Sequence, residues 1–333
     1  MVYDVISILD FSRDEIMQLF DLTDKIRQIL PKKRKIPILS GYTAALAFFE
    51  PSTRTRLSFE LACKKLGMDT LTIIGESAIS LMKGERFSDT IRMLDSYSDL
   101  ILIRHPADGA SRFAAEIAES PVINCGDGAH EHPTQALIDL YAIHKFKGNI
   151  DNLTIGILGD VRFARTVVSL LRGLTLFNPK KVYIISPPFL HLRDVYRDEL
   201  KKRGLNFEER NSLLDVLPEL DVLYVVRIQK ERFPDPSDYE KVKGSYMVTR
   251  KIIKEYAKDD LIILHPLPRV EELALDIDNT KYAKYFDQAK FGIYVRIALI
   301  TLILPVAPVK CWYTKLDAQS CQPSLFSIRM NYS

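Results

Sequence analysis

The sequence has 333 residues, 47% of them hydrophobic and 27% charged, which is the profile of a soluble globular protein long enough for two packed domains. Its 46 basic and 43 acidic side chains leave a net charge of +3, which argues against a nucleic-acid binder but allows a local basic cluster for a small anion. The four cysteines (Cys63, Cys125, Cys311, Cys321) form no C-x-x-C pair and no disulfide framework, so neither a zinc site nor an oxidising compartment is expected.

The first residues carry Asp4, Asp10, Asp14 and Glu15 and lack the basic start and apolar run of a signal peptide, so a cytoplasmic location is expected. Ser12-x-x-Glu15 is a capping box, and Ile16, Leu19, Phe20 and Ile26 follow at helical spacing, predicting a helix to about Leu30-Pro31. The basic run at 32–35 reads as a solvated turn. Residues 44–49 predict a buried strand, broken by Pro51-Ser52. A helix then runs to about Leu66, with Leu57, Leu61, Ala62 and Leu66 on one face and Gly67 as its stop. The alternation continues with strands at 70–74, 100–103 and 122–124 and helices at 87–97, 111–119 and about 133–145. Such a rhythm implies a parallel sheet flanked by helices. The turn-rich stretch 148–152 marks a domain boundary. A second βαβ series has strands at 153–158, 182–185, 222–226 and 262–264 and a helix from about Ala164. The apolar stretch 297–309 holds Thr301 and two prolines and is too short to span a bilayer. A final buried helix at 292–304 is predicted to return to the first domain. The expected organisation is α/β with two domains, 1–148 plus 288–304 and 149–287, followed by a tail at 305–333.

The sharpest local signal is Phe49-Glu50-Pro51-Ser52-Thr53-Arg54-Thr55-Arg56, between a strand and a helix. A helix N-terminus offers unpaired N–H groups and a positive dipole end, and arginine matches phosphate oxygens as a fork. Composition alone leaves an anion cradle and an ordinary capped helix about equal. Context favours the cradle. Arg104-His105-Pro106 and His132-Pro133-Thr134-Gln135 also follow strands, and ligands of open parallel sheets bind beyond the strands' C-terminal ends.

These three segments, in this order, resemble the carbamoyl-phosphate half of the carbamoyltransferase family. In the second half, Arg227-Ile228-Gln229-Lys230-Glu231-Arg232 and His265-Pro266-Leu267-Pro268-Arg269 are similar to the aspartate branch. The His-Cys-Leu-Pro and Ser-Met-Gly signatures of the ornithine branch are absent from the sequence. Two carboxylates on an acceptor call for at least two cationic donors, which Arg165 and Arg227 provide. The resemblance implies transfer of a carbamoyl group from carbamoyl phosphate to L-aspartate, in pyrimidine biosynthesis, by a homotrimer with shared active sites. No cofactor or metal is implied.

The resemblance also assigns roles. Ser52, Thr53, Arg54 and Thr55 hold the phosphate, and Thr55, Arg104 and His132 polarise the carbonyl oxygen. Gln135 accepts from the carbamoyl amide. Arg165, Arg227 and Gln229 bind the aspartate carboxylates, while Leu267, kept in place by Pro268, offers its backbone carbonyl to the amine. Ser80 and Lys83, in the loop 76–86, come from the adjacent subunit, with Lys83 also facing aspartate. Their spacing is one residue shorter than the family's usual pattern. A zinc-containing regulatory chain would be a separate polypeptide, because this sequence has no cysteine quartet. Other carbamoyl acceptors and a silent assembly subunit are the rival readings. His130-Glu131-His132 lacks a third metal ligand. Gly156-Ile157-Leu158-Gly159-Asp160 lacks the G-x-G-x-x-G of a dinucleotide site. The tail beyond Leu304 departs from the family pattern and receives no functional reading.

Overall fold

A computed structural model describes residues 4–75, 84–230, 233, 235–243 and 246–305. The first helix, α1 (Arg13–Lys33), opens with the predicted capping box. Ser12 accepts the Glu15 N–H and Glu15 accepts the Ser12 N–H, and Ile16, Leu19, Phe20 and Ile26 are buried. Strands β1 (Thr43–Phe48), β2 (Asp69–Ile74), β3 (Leu100–His105) and β4 (Val122–Asp127) then alternate with helices α2 (Thr53–Leu66), α3 (Phe87–Tyr97), α4 (Ala110–Ile117) and α5 (Pro133–Lys147). All pairings are parallel, in the order β2-β1-β3-β4.

The second series comprises β5 (Thr154–Gly159), α6 (Arg165–Leu174), β6 (Lys181–Ile185), α7 (Asp194–Lys202), β7 (Phe207–Arg210), β8 (Val222–Val226), α8 (Pro236–Val242), α9 (Arg250–Tyr256) and β9 (Ile262–Leu264). Its parallel sheet has the order β7-β6-β5-β8-β9. The final helix, α10 (Tyr285–Ile303), packs against α1, α2 and α5 of the first series. The α/β architecture of two helix-flanked parallel sheets expected from the alternation is thus the one observed. One continuous apolar core joins α1, α5, α6 and α10 to a face of each sheet, while separate clusters fill the opposite faces.

Three elements differ locally from the expectation. The buried residues of α2 are Thr55, Phe59, Ala62, Cys63 and Leu66, whereas Leu57 and Leu61, grouped with Ala62 and Leu66 in the sequence pattern, are exposed. Helix α10 begins at Tyr285, well before Gly292, because that glycine lies inside the helix. A Cβ there would meet Arg296 Nη1 at 2.7 Å. Strand β7 escaped the reading because Phe-Glu-Glu-Arg at a sheet edge has no apolar periodicity.

Each sheet has one topological switch point, where strand order reverses: between β1 and β3 in the first, and between β5 and β8 in the second. A crevice opens at such a point beyond the C-terminal strand ends.

Candidate active site

The two crevices open onto a single cavity of about 710 Å³. It is lined by Ser52, Thr53, Arg54 and Thr55 after β1, Arg104 at the end of β3, and His132 and Gln135 after β4. From the second sheet come Arg165 after β5, Arg227 and Gln229 after β8, and Leu267 and Pro268 after β9. All of these were singled out in the sequence. Ser80 and Lys83 lie outside the described residues, as do Glu231 and Arg232.

Helix α2 starts at Thr53, and Ser52 precedes it without using its side chain as a cap. The hydroxyl and the first-turn N–H groups are therefore available at the cavity. Arg54 faces that space, and its pKa is lowered by burial and by the Arg227 guanidinium from the other sheet. Two like charges brought together across a cleft favour an anion between them. Arg56 instead runs along α2 to Glu60, 3.2 Å away.

Arg104 and Arg165 share one carboxylate. Glu50 Oε2 lies 3.2 Å from Arg104 Nε and accepts from Arg165 Nη2 at 2.7 Å. Arg165 also donates to the Gly128 carbonyl at 2.9 Å. Gly126, at φ +116°, allows both arginines to approach, since a Cβ there would lie 3.0 Å from Arg165 and 3.2 Å from Arg104.

His132 is buried, with Nε2 3.5 Å from Thr55 Oγ1 and Nδ1 3.4 Å from Thr134 Oγ1. Burial, then Arg104, Arg165 and Arg296, hold its pKa well below the ordinary value, so the ring is neutral. Its backbone N–H donates to Ser169 Oγ at 2.8 Å, and Ser169 donates to Glu131 at 2.6 Å. Glu131 is further engaged by Arg172 at 2.7 Å, so it anchors His132. Among the described residues, no group of three or more His, Cys, Asp or Glu side chains could hold a metal ion.

The loop after β9 is fixed by a histidine that sequence reasoning gave no separate role. His265 Nδ1 accepts the Leu267 N–H at 2.8 Å, and its other ring nitrogen donates to Glu272 at 2.7 Å. Burial lowers the His265 pKa despite the nearby Glu272, so the ring is a neutral bridge. It supports Leu267 at φ +56°, a conformation a leucine rarely adopts. Gln229 is tethered in turn by Asp160, which accepts its N–H at 3.2 Å and that of Phe163 at 2.9 Å. Burial pushes the Asp160 carboxyl up to about 6.

Residues 3–145 match the model of the aspartate/ornithine carbamoyltransferase carbamoyl-P binding domain, and residues 151–303 match that of the Asp/Orn binding domain. The chain belongs to the aspartate/ornithine carbamoyltransferase family. The aspartate carbamoyltransferase catalytic subunit of Hyperthermus butylicus is 56% identical to it over 300 residues, which cover 90% of this chain and 95% of the relative. The solved catalytic subunit of M. jannaschii aspartate transcarbamoylase aligns with TM-score 0.81 and 45% identity, covering 90% of this chain and 96% of that one. The Trypanosoma cruzi aspartate transcarbamoylase in complex with N-(phosphonacetyl)-L-aspartic acid aligns with TM-score 0.86 and 35% identity, covering 91% and 96%.

Within this carbamoyltransferase fold, sequence reading gave no role of their own to Glu50, His265 and Arg296, which line the cavity, or to Asp139, which accepts from the lining residue Gln135 at 2.7 Å. Arg296 had been absorbed into an apolar helix. It lines the cavity, packs 4.8 Å over the Phe59 ring, and its Nε finds no hydrogen-bond partner among the described residues. Burial pushes its pKa down to about 10. Cys63 and Cys125 are buried core residues, their thiols pushed up to about 12 by burial. Among the described residues no helix is long and apolar enough to cross a membrane.

Proposed function

We infer that this chain transfers the carbamoyl group of carbamoyl phosphate to L-aspartate, giving N-carbamoyl-L-aspartate and phosphate, a step of pyrimidine biosynthesis. The observation that carries this reading is the single cavity in which Arg54, Arg104, Arg165 and Arg227 gather from two switch points beside a neutral imidazole.

In this reading residues 1–148 with 288–304 bind carbamoyl phosphate. Ser52, Thr53, Arg54 and Thr55 hold its phosphate at the start of α2. Residues 149–287 bind aspartate, with Arg165, Arg227 and Gln229 on its carboxylates. The amine nitrogen attacks the carbonyl carbon and a tetrahedral intermediate forms. The carbon–oxygen bond to phosphorus then breaks, and the departing phosphate takes the amine's proton. The carbonyl oxygen gains negative charge on the way. Thr55, Arg104 and His132 surround it as preorganised donors, each contributing on the order of 3 kcal/mol. His132 acts as a neutral donor in the tautomer that carries its proton on Nε2, the nitrogen facing Thr55, with Nδ1 turned toward the Thr134 hydroxyl. The Leu267 carbonyl, held by His265, orients the attacking amine. Most of the acceleration comes from orientation and fixed charge, and no side chain forms a covalent bond.

The active unit is a homotrimer in which Ser80 and Lys83 of a neighbouring copy complete the site, Lys83 on the aspartate side. Support comes from the edge strand β2 and the helix α3, which leave Leu71, Ile74, Met93 and Tyr97 exposed.

Steady-state assays offering aspartate, ornithine and putrescine separately test the acceptor. Turnover with aspartate alone is expected, and a preference for ornithine overturns the assignment. Arg54→Ala is expected to lower kcat by about 100-fold or more, while Arg227→Ala chiefly raises the KM for aspartate. Unchanged kinetics in Arg54→Ala would remove the phosphate cradle.

A further inference from the structure

Asp139, on α5, is fully buried and has three donors around its carboxylate. Gln135 Nε2 donates to Oδ1 at 2.7 Å and Gln288 Nε2 to the same oxygen at 2.6 Å, while the Tyr224 hydroxyl donates to Oδ2 at 2.8 Å. These partners come from α5, α10 and β8. Gln288 Oε1 accepts the His265 backbone N–H at 2.8 Å. A backbone N–H can only donate, which fixes the Gln288 amide with its nitrogen toward Asp139. Oδ2 faces a hydroxyl, which can donate or accept, so any proton taken up by Asp139 sits there and Oδ1 remains an acceptor. The nitrogen of Gln135 must therefore point at Asp139, and its carbonyl oxygen must point away, at the cavity that Gln135 lines.

We propose that Asp139 is a positioning residue that fixes the Gln135 amide, so that its oxygen selects an acyl phosphate bearing an N–H₂ group on the carbonyl carbon. The inference rests on carbamoyl phosphate being the ligand of the first crevice. Without an acceptor at Asp139 the Gln135 amide is free to turn. Two N–H₂ groups can then face each other, and the preference for an amide over a methyl in that place is lost. The same carboxylate reaches the loop carrying Leu267 through Gln288 and His265, and so ties both substrate halves to one buried acceptor.

The test compares binding of carbamoyl phosphate, acetyl phosphate (a methyl in place of the amide) and inorganic phosphate to the wild type, Asp139→Asn and Asp139→Leu. The wild type should prefer carbamoyl over acetyl phosphate. Asp139→Leu should reduce that preference about tenfold, the loss of one hydrogen bond, with inorganic phosphate affinity unchanged within about twofold. Asp139→Asn, which keeps an acceptor at Oδ1, should retain the preference within about threefold. Asp139→Ser, too short to reach either amide, carries the leucine variant's expectation should that variant not fold. An undiminished preference in the leucine or serine variant overturns the proposal. So does a parallel weakening of all three ligands, which is what general distortion would give. A wild type that binds no inorganic phosphate at this site instead removes the underlying ligand assignment.

Discussion

His132 lies among Arg104, Arg165 and Arg296, and burial together with these charges holds its pKa well below the usual histidine value. In the unfolded chain the same ring titrates near its ordinary value. Below that value the unfolded state binds a proton that the folded state refuses. Folding stability therefore rises with pH up to the unfolded pKa and is lost as pH falls below it. One proton sets the limit at about 1.4 kcal/mol per pH unit. His265 works in the same direction. Asp139 works in the opposite one, because its carboxyl is pushed up to about 7 and holds its proton longer when folded. Comparing the wild type with His132→Gln isolates the one ring. Denaturant unfolding at pH 5 and pH 8 should show a smaller loss of stability toward acid in the variant. Equal losses would mean that His132 is charged in the folded protein.

At the scale of elements, β5 and β8 determine how closely the arginine-bearing loops approach each other. Gly159 ends β5 opposite Val226 of β8, at φ +122°, and a Cβ there would fall 2.0 Å from the Val226 carbonyl oxygen. That obstacle is backbone and cannot turn away. Gly159→Ala should cost more than about 3 kcal/mol, combining left-handed strain with displacement of β8. Because Val226 precedes Arg227, the aspartate KM should rise along with the fall in Tm. A variant with wild-type Tm would show that the two strands separate easily. Gly126 and Gly292 serve the site in a related way, each leaving room for an arginine guanidinium.

For the whole molecule, the decisive feature is that two sheets turn their switch points toward one cleft. Helix α10 returns from the second series to pack on α1, α2 and α5, so the chain crosses the cleft twice, and Gln288 and Arg296 both line it. The family match ends at residue 303, and the Pro305 carbonyl still accepts the Tyr42 hydroxyl at 2.9 Å. A chain ending at Val309 should therefore keep its turnover within about twofold of the full chain and keep the full chain's oligomeric state. Dissociation of the truncated chain in size-exclusion chromatography coupled to light scattering would contradict this.

The sequence by itself determined the local features, because each has a short-range cause. The capping box at Ser12 and Glu15, the αL stop at Gly67, the βα alternation and the anion-binding turn at 52–56 all depend on neighbours in the chain. The site residues were legible where they sat in compact segments at strand ends. What only the tertiary structure decided is which distant groups share an environment. Glu50 bridging Arg104 and Arg165, Asp139 gathering Gln135, Tyr224 and Gln288, and Arg296 emerging from an apolar helix depend on pairings of residues far apart in sequence. Burial is set by the packed whole. It makes His132 neutral, raises Asp139 and leaves Leu57 and Leu61 outside, and no local pattern of residues encodes it.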